Sequence, residues 1–190
     1  MLIETERLVL RPFVLDDAED VYEYLREPLV SCFSDMKLDS LAAARALMEE
    51  RCKDREYCLA IVLKDCGKVI GEMEAHPEPK DSDGLCGSAE TFSPCWMLNK
   101  RYHGKGYAYE AAHAFFDYLF LQKGARRIYA YTEVYNLSSR KLCGRLGMRQ
   151  EGLFKKFISF VKDENGDPVY EDTMEWAILR KEWPDGDRQS

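Results

Sequence analysis

The sequence lacks several features that would settle a class of function. No stretch of it approaches the roughly 20 consecutive apolar residues that cross a bilayer, so no membrane partner is expected. Basic residues are in deficit. Against 34 Asp and Glu stand 27 Lys and Arg, a formal charge of −7, the wrong sign for a general nucleic-acid binder. Cysteines are present but not paired by spacing: Cys32, Cys52, Cys58, Cys66, Cys86, Cys95 and Cys143 are odd in number and contain no C-x-x-C. Neither a disulfide framework nor a metal site is expected, and reduced thiols packed in the core are. The opening residues MLIETERLVL carry acids where a secretory signal needs bases, so the expected location is cytoplasmic.

What is present reads as one domain over 1–183 followed by a flexible tail, 184–190. The 190 residues are enough for a single core, and 46% are hydrophobic. ERLVLRPF predicts a strand. Asp16, with Glu19 three residues on, predicts a capped helix ended by Pro28. A second helix is expected from Asp39 or Ser40, with Leu41, Ala44, Leu47, Met48 and Arg51 on one stripe. Two strands, 56–63 and 69–76, form a hairpin, and 77–90 reads as a loop. Then come a strand over 91–98, a helix over 106–123 ended by Gly124, a strand over 126–136, a short helix over 138–146 and a long terminal hairpin. Hairpins imply antiparallel pairing, and the strand–helix–strand unit implies one parallel crossover. The class is α+β (mixed α/β).

The stretch YHGKGYAYEA, 102–111, raises a question of chemistry. A helix start usually shows Ser, Thr, Asp or Asn, whose side chain satisfies the first free N–H groups. Here Gly106 stands instead. Free N–H groups at the positive end of a helix bind anions, phosphate above all. Gly104 and Gly106 let a ligand approach the backbone, and Lys105 adds charge. The G-x-x-x-x-G-K-[ST] pattern is absent, and Tyr109 stands where G-x-G-x-x-G needs its third glycine. Neither a nucleotide P-loop nor a dinucleotide fold is therefore indicated.

WMLNKRYHGKGYAYEA followed by RRIYAYTEVYNLSSRKLCGRLGM resembles the acetyl-CoA-binding core of the GNAT acyltransferases. TERLVLRPF, GKVIGE, LGM, EG and EW stand in the order that family shows, and the match is nearest to the branch of ribosomal-protein N-terminal acetyltransferases. The resemblance implies a mostly antiparallel mixed sheet with a splayed parallel strand pair and flanking helices. It implies acetyl-CoA as cosubstrate, no metal, and a primary amine (a protein or peptide N-terminus, or a small amine) as acceptor. The pyrophosphate loop would comprise His103, Gly104, Lys105, Gly106, Tyr107 and Ala108, with His103 in place of the usual Gln or Arg. The backbone of Met97 and Leu98 would meet the pantetheine arm, as would Asn136. Trp96 reads as core more than as a cofactor contact. The common tyrosine acid is replaced by Cys143, and Ser139 is the alternative. For the base, Glu72 and Glu74 share a strand face with Ile70 and His76, and Glu90, Glu133 and Tyr131 are further candidates, because Ser93 occupies the usual glutamate position. His113 reads as a packing residue. Another short acyl donor, or a CoA-binding sensor without turnover, keeps the same fold. The loop 77–90 is expected to border the substrate entrance, and the terminal hairpin offers a homodimer edge.

Overall fold

The segment 91–98, expected as one strand, is two. In the computed structural model, which describes residues 1–78 and 90–184, β5 (Thr91–Phe92) and β6 (Cys95–Leu98) belong to different sheets. Pro94 lies between them and has no N–H to donate to a ladder. One sheet has the order β1 (Ile3–Glu4), β2 (Leu8–Pro12), β3 (Cys58–Leu63), β4 (Val69–Glu74), β6, all antiparallel. The other has the order β5, β7 (Arg127–Glu133), β9 (Pro168–Leu179), β8 (Arg149–Lys162). Only β5 and β7 run parallel, Thr91 beside Arg127 and Phe92 beside Ile128. Beyond that short contact β6 follows β4, β7 follows β9, and a gap opens between β6 and β7.

Helices cover both faces of the first sheet. α3 (Tyr107–Leu121) and α4 (Leu137–Arg145) lie on one side, where Ala111, Ala112, Phe115 and Leu119 meet Leu8, Leu59, Met73 and Ile128. Phe92, Phe115 and Phe116 are fully buried there, each worth roughly 1.5–3 kcal/mol. α1 (Ala18–Leu25) and α2 (Leu41–Arg51) lie on the other side, packing Val21, Leu25, Ala44 and Met48 against Ala60, Val62, Val69 and Met97. All six residues of β3 are buried, as a strand covered on both faces requires. Cys143 falls in the first core and Cys58 in the second.

Two local expectations are corrected and one is met. Asp16 does not cap α1. Asp17 does the local work, accepting the Val14 N–H at 2.9 Å while two 2.7 Å bonds hold it to Arg11. Ser40 does cap α2, through the Ala43 N–H at 3.2 Å. In β4, Gly71 pairs with Ile61 but Val69 with Val62, so Ile70 is an extra residue. This bulge turns Ile70 into the α3 core and away from the face that carries Glu72. Most of the expected loop 77–90 and of the tail 184–190, along with Cys86, lies outside the described residues. Among the described residues no helix is long and apolar enough to cross a membrane, and no His, Cys, Asp and Glu cluster could hold a metal.

Gly71 sets how closely β4 and β6 can approach. A Cβ there would lie 2.3 Å from the Met97 carbonyl oxygen and 2.9 Å from the Leu98 Cα, backbone atoms that cannot swing aside. Gly71→Ala is expected to lower stability by about 1–3 kcal/mol. Gly144→Ala, inside α4 with nothing within 4 Å, should be neutral or stabilising. Urea midpoints of the two variants make the comparison.

Candidate active site

The gap between β6 and β7 opens into a cleft of about 990 Å³ lined by the loop before α3, the start of α4 and the residues after α1. The loop is shaped by its glycines. Gly104 and Gly106 have φ of 74° and 85°, backbone positions that other residues resist. Gly106 is the N-cap of α3 and supplies no side-chain bond, while the Glu110 N–H is the first to bond back, to the Gly106 carbonyl at 3.1 Å. The N–H groups of Tyr107, Ala108 and Tyr109 precede that first bond and keep no intrahelical partner.

A carboxylate in this first turn would oppose an anion, and Glu110 is one. Arg7 neutralises it with a bond from Nε at 2.7 Å and from its own N–H at 2.7 Å, and Thr5 Oγ1 donates at 2.6 Å. Burial pushes the Glu110 carboxyl up, but these bonds outweigh it and hold it below the usual carboxylate range. Arg7 also donates to the Lys105 carbonyl at 3.0 Å and lies over the Tyr107 ring at 4.4 Å. The Lys105 ammonium lies over the Tyr102 ring at 5.3 Å, and Lys105 is not among the lining residues. Positive charge at the cleft comes instead from Lys100, Arg101, Lys141 and Arg145. Asn99 and Arg101 are both anchored on Glu23, at 3.1 and 2.7 Å, which fixes the turn that leads into the loop.

Among the described residues β6 has a partner on one edge only. The Asn99 N–H bonds the Ile70 carbonyl at 2.7 Å, in register with Met97 opposite Glu72 and Cys95 opposite Glu74. Antiparallel pairs alternate, so Met97 spends its backbone groups on β4. Trp96 and Leu98 turn theirs to the gap. Of the expected pair, Leu98 turns its backbone groups to the gap and Met97 does not, while Trp96 does. The His103 ring Nε2 donates to the outward Leu98 carbonyl at 2.9 Å.

Ser139 and Asn136 sit across the gap at the start of α4. Asn136 Oδ1 accepts the Ser139 N–H at 3.2 Å, capping the helix, and its Nδ2 has no partner among the described residues. Trp96 is half-buried and lines the cleft, and its indole N–H donates to Ser139 Oγ at 3.1 Å. With that bond accepted, the Ser139 hydroxyl proton is left to donate. Cys143 is corrected. It is fully buried under α4, away from the cleft lining, and burial pushes its thiol up to about 12.

Glu72 is corrected too. It is buried in an ion pair with Arg51, Nη2 at 2.7 Å from Oε1 and Nη1 on Oε2, and the Tyr24 hydroxyl donates to Oε2 at 2.7 Å. Both of its oxygens are taken by these partners, and Glu72 is not among the residues lining the cleft. Glu74 is half-exposed and sits 3.2 Å from His76 Nδ1. Glu90 precedes β5, at the closed end of the gap. Tyr131 and Glu133 face the side of the gap away from α3, Tyr131 exposed and Glu133 buried. His113 packs on Trp183 at 4.8 Å. The Arg7–Glu110 and Arg51–Glu72 pairs, spanning 103 and 21 residues, leave no local sequence signal.

Comparison with known proteins adds four findings. The family model of the acetyltransferase (GNAT) domain matches residues 7–149. YnaD of Bacillus subtilis, described as an uncharacterised N-acetyltransferase, is 31% identical over 183 residues, 96% of this chain and 99% of its own length. The crystal structure of a GNAT acetyltransferase from Bacillus anthracis superposes with a TM-score of 0.79 at 28% identity, covering 96% of this chain and all of that one. Microcin C7 self-immunity acetyltransferase MccE, solved with acetyl-CoA and AMP, shares the fold at 18% identity, with a TM-score of 0.67 over 92% of this chain and 93% of its own.

Glu110 gives a pH test of the clamp beneath the loop. Its carboxyl is held below the unfolded value of about 4.3. The stability it adds is therefore complete above that pH and lost as pH falls through the folded value. Glu110→Gln should be less stable than the wild type at neutral pH, and the difference should shrink below about pH 4. Denaturant midpoints across that range read it directly.

Proposed function

The chain belongs to the GNAT family of N-acetyltransferases, and from that premise we propose that it moves an acetyl group from acetyl-CoA to a primary amine by direct attack on the thioester. One observation carries the choice of donor. A helix start left open by Gly106, with three free N–H groups, faces the same cleft as the unpaired edge of β6. The first feature suits a pyrophosphate. The second suits an extended amide chain that adds to a strand edge, as the pantetheine arm would.

The residues present fit that cosubstrate. Gly104, Gly106 and the N–H groups of Tyr107, Ala108 and Tyr109 would hold the pyrophosphate, and Lys100, Arg101, Lys141 and Arg145 give the rim the sign a phosphorylated ligand needs. The backbone groups of Trp96 and Leu98 and the Asn136 amide would hold the arm. Acetyl-CoA supplies an activated acyl group. Attack needs a neutral amine, and an α-amino group, with a pKa near 7.7–8.0, is close to that state already.

The leaving sulfur carries charge as the C–S bond breaks. The Ser139 hydroxyl, its oxygen fixed by Trp96, is the donor for it. A serine hydroxyl is too weak an acid to give up its proton outright, so its part is a hydrogen bond to the developing thiolate and relay of the proton the amine releases.

Thermal unfolding with and without acetyl-CoA tests the donor. At about a thousandfold excess over Kd the ligand adds roughly 4 kcal/mol, which raises Tm by several degrees. NAD and ATP should not reproduce the shift. Gly106→Val, which puts a branched side chain at φ 85°, should abolish it, and an unchanged shift would remove the pyrophosphate role. Ser139→Ala should keep the shift and lower turnover by about ten- to a hundredfold. Equal rates would remove Ser139 from the mechanism.

A further inference from the structure

The face of the second sheet turned away from α3 carries two carboxylates, Glu133 and Glu171, that have no ion-pair partner among the described residues. Side chains alternate along β7, sending Ile128 and Ala130 into the α3 core and Tyr129, Tyr131 and Glu133 to the opposite face. On β9, Thr173 stands directly across from Glu133, so Thr173 and Glu171 share that face. Glu133 and Thr173 are 6% and 2% exposed. The Thr173 Oγ1 and one Glu171 oxygen are buried without a hydrogen-bond partner among the described residues. Neither Glu133 nor Glu171 has an ion-pair partner among those residues, and the Cys32 thiol beside Glu133 is pushed up by burial and by this carboxylate. A buried carboxylate without a cation is costly. Buried Glu133, with half-buried Glu171 and an unpartnered hydroxyl beside it, makes a site short of positive charge among the described residues.

A second observation points to the same kind of ligand. Tyr131, Phe154 and Phe157 form an exposed aromatic group on this face, with ring centroids 5.1–6.3 Å apart. Regular alternation would send Phe154 and Phe157 to opposite sides of β8. They meet because the ladder is irregular between Phe154 and Ile158, and Lys156 takes a φ of 48°. A positive φ at lysine is strained. Asp172 holds it there, accepting the Lys156 N–H at 2.9 Å and the Lys155 ammonium at 2.8 Å. Aromatic faces beside carboxylates attract alkylammonium groups.

We propose that this face binds the acceptor as an alkylammonium, its cation against Glu133, Glu171 and the Thr173 hydroxyl and its chain along Tyr131, Phe154 and Phe157. The site rests on the acetyltransferase reading, because it reaches the gap from the side opposite the cofactor loop. It also selects a class of acceptor, a primary amine with no carboxylate beside the nitrogen. A neighbouring carboxylate would face the two unpaired glutamates. A peptide N-terminus, an amino-acid amide or an alkylamine meets the condition, and a free amino acid does not.

The test is calorimetric titration of the full chain, saturated with CoA, by n-butylammonium and by norvaline, which has a similar alkyl chain and a carboxylate beside the nitrogen. Butylammonium should bind at least about tenfold more tightly than norvaline. Glu171→Gln and Thr173→Val should each weaken butylammonium severalfold and leave the acetyl-CoA Tm shift intact, which also reports that the variants fold. Equal affinity for the two amines overturns the proposal. So does butylammonium affinity unchanged in Glu171→Gln, or no binding at tens of millimolar while the acetyl-CoA shift persists. Loss of the acetyl-CoA shift alone, with butylammonium still bound, would strike the donor reading and leave this site standing.

Discussion

The architecture depends on one strand changing sheets. β5 pairs with β7, the chain passes Ser93 and Pro94, and β6 pairs with β4 instead. A strand edge left without a partner inside a folded protein must find one, because exposed backbone donors and acceptors are costly to bury unsatisfied. Here the edge lies in a cleft open to ligand. His103 takes up one outward carbonyl, that of Leu98, and an extended amide chain suits the groups that remain. Neither helix creates the gap. α3 is placed beside it by the crossover that carries the chain from β6 to β7, and α4 follows β7 directly.

The two sides of the gap differ in charge, which the net value of −7 hides. On the side of α3 and α4 the rim is basic and the one acidic residue in the first turn of α3 is neutralised by Arg7. On the other side Glu133 and Glu171 have no cation partner among the described residues, while Arg51 is spent on Glu72. A phosphorylated donor and a cationic acceptor would each meet the side of opposite sign. The field then orders the two substrates before any specific contact forms.

Local features were legible in the sequence and distant ones were not. The missing cap at Gly106 could be read directly, since a helix start without Ser, Thr, Asp or Asn is a local anomaly, and the start of α2 at Asp39 or Ser40 was as local a signal. Pro94 stood inside the stretch read as one strand, 91–98, and no local rule says that the chain beyond a proline joins another sheet. Glu72 looked like a free carboxylate because its partners, Tyr24 and Arg51, lie 48 and 21 residues away. Cys143 matched a catalytic position by spacing, but helical periodicity turns it into the core. The choice between Trp96 and Met97 needed the register with β4, and one bulged residue, Ile70, was enough to shift the expected faces.

The Tyr24–Glu72–Arg51 group gives the carboxylate once considered as a base a different value. Tyr24 lines the cleft from α1, Arg51 ends α2, and Glu72 lies on β4, the sole partner of β6. A buried, bidentate ion pair is seldom a large source of stability compared with apolar packing, but loss of one partner costs about 3–5 kcal/mol and so penalises any other arrangement of the pieces it joins. Here it locks two helices to the strand that holds one wall of the gap. That wall must keep its position against a partner edge that is absent, since no ladder from β7 holds β6 on the open side. Fixing β4 from behind is what lets β6 present a straight, half-paired edge to the cleft.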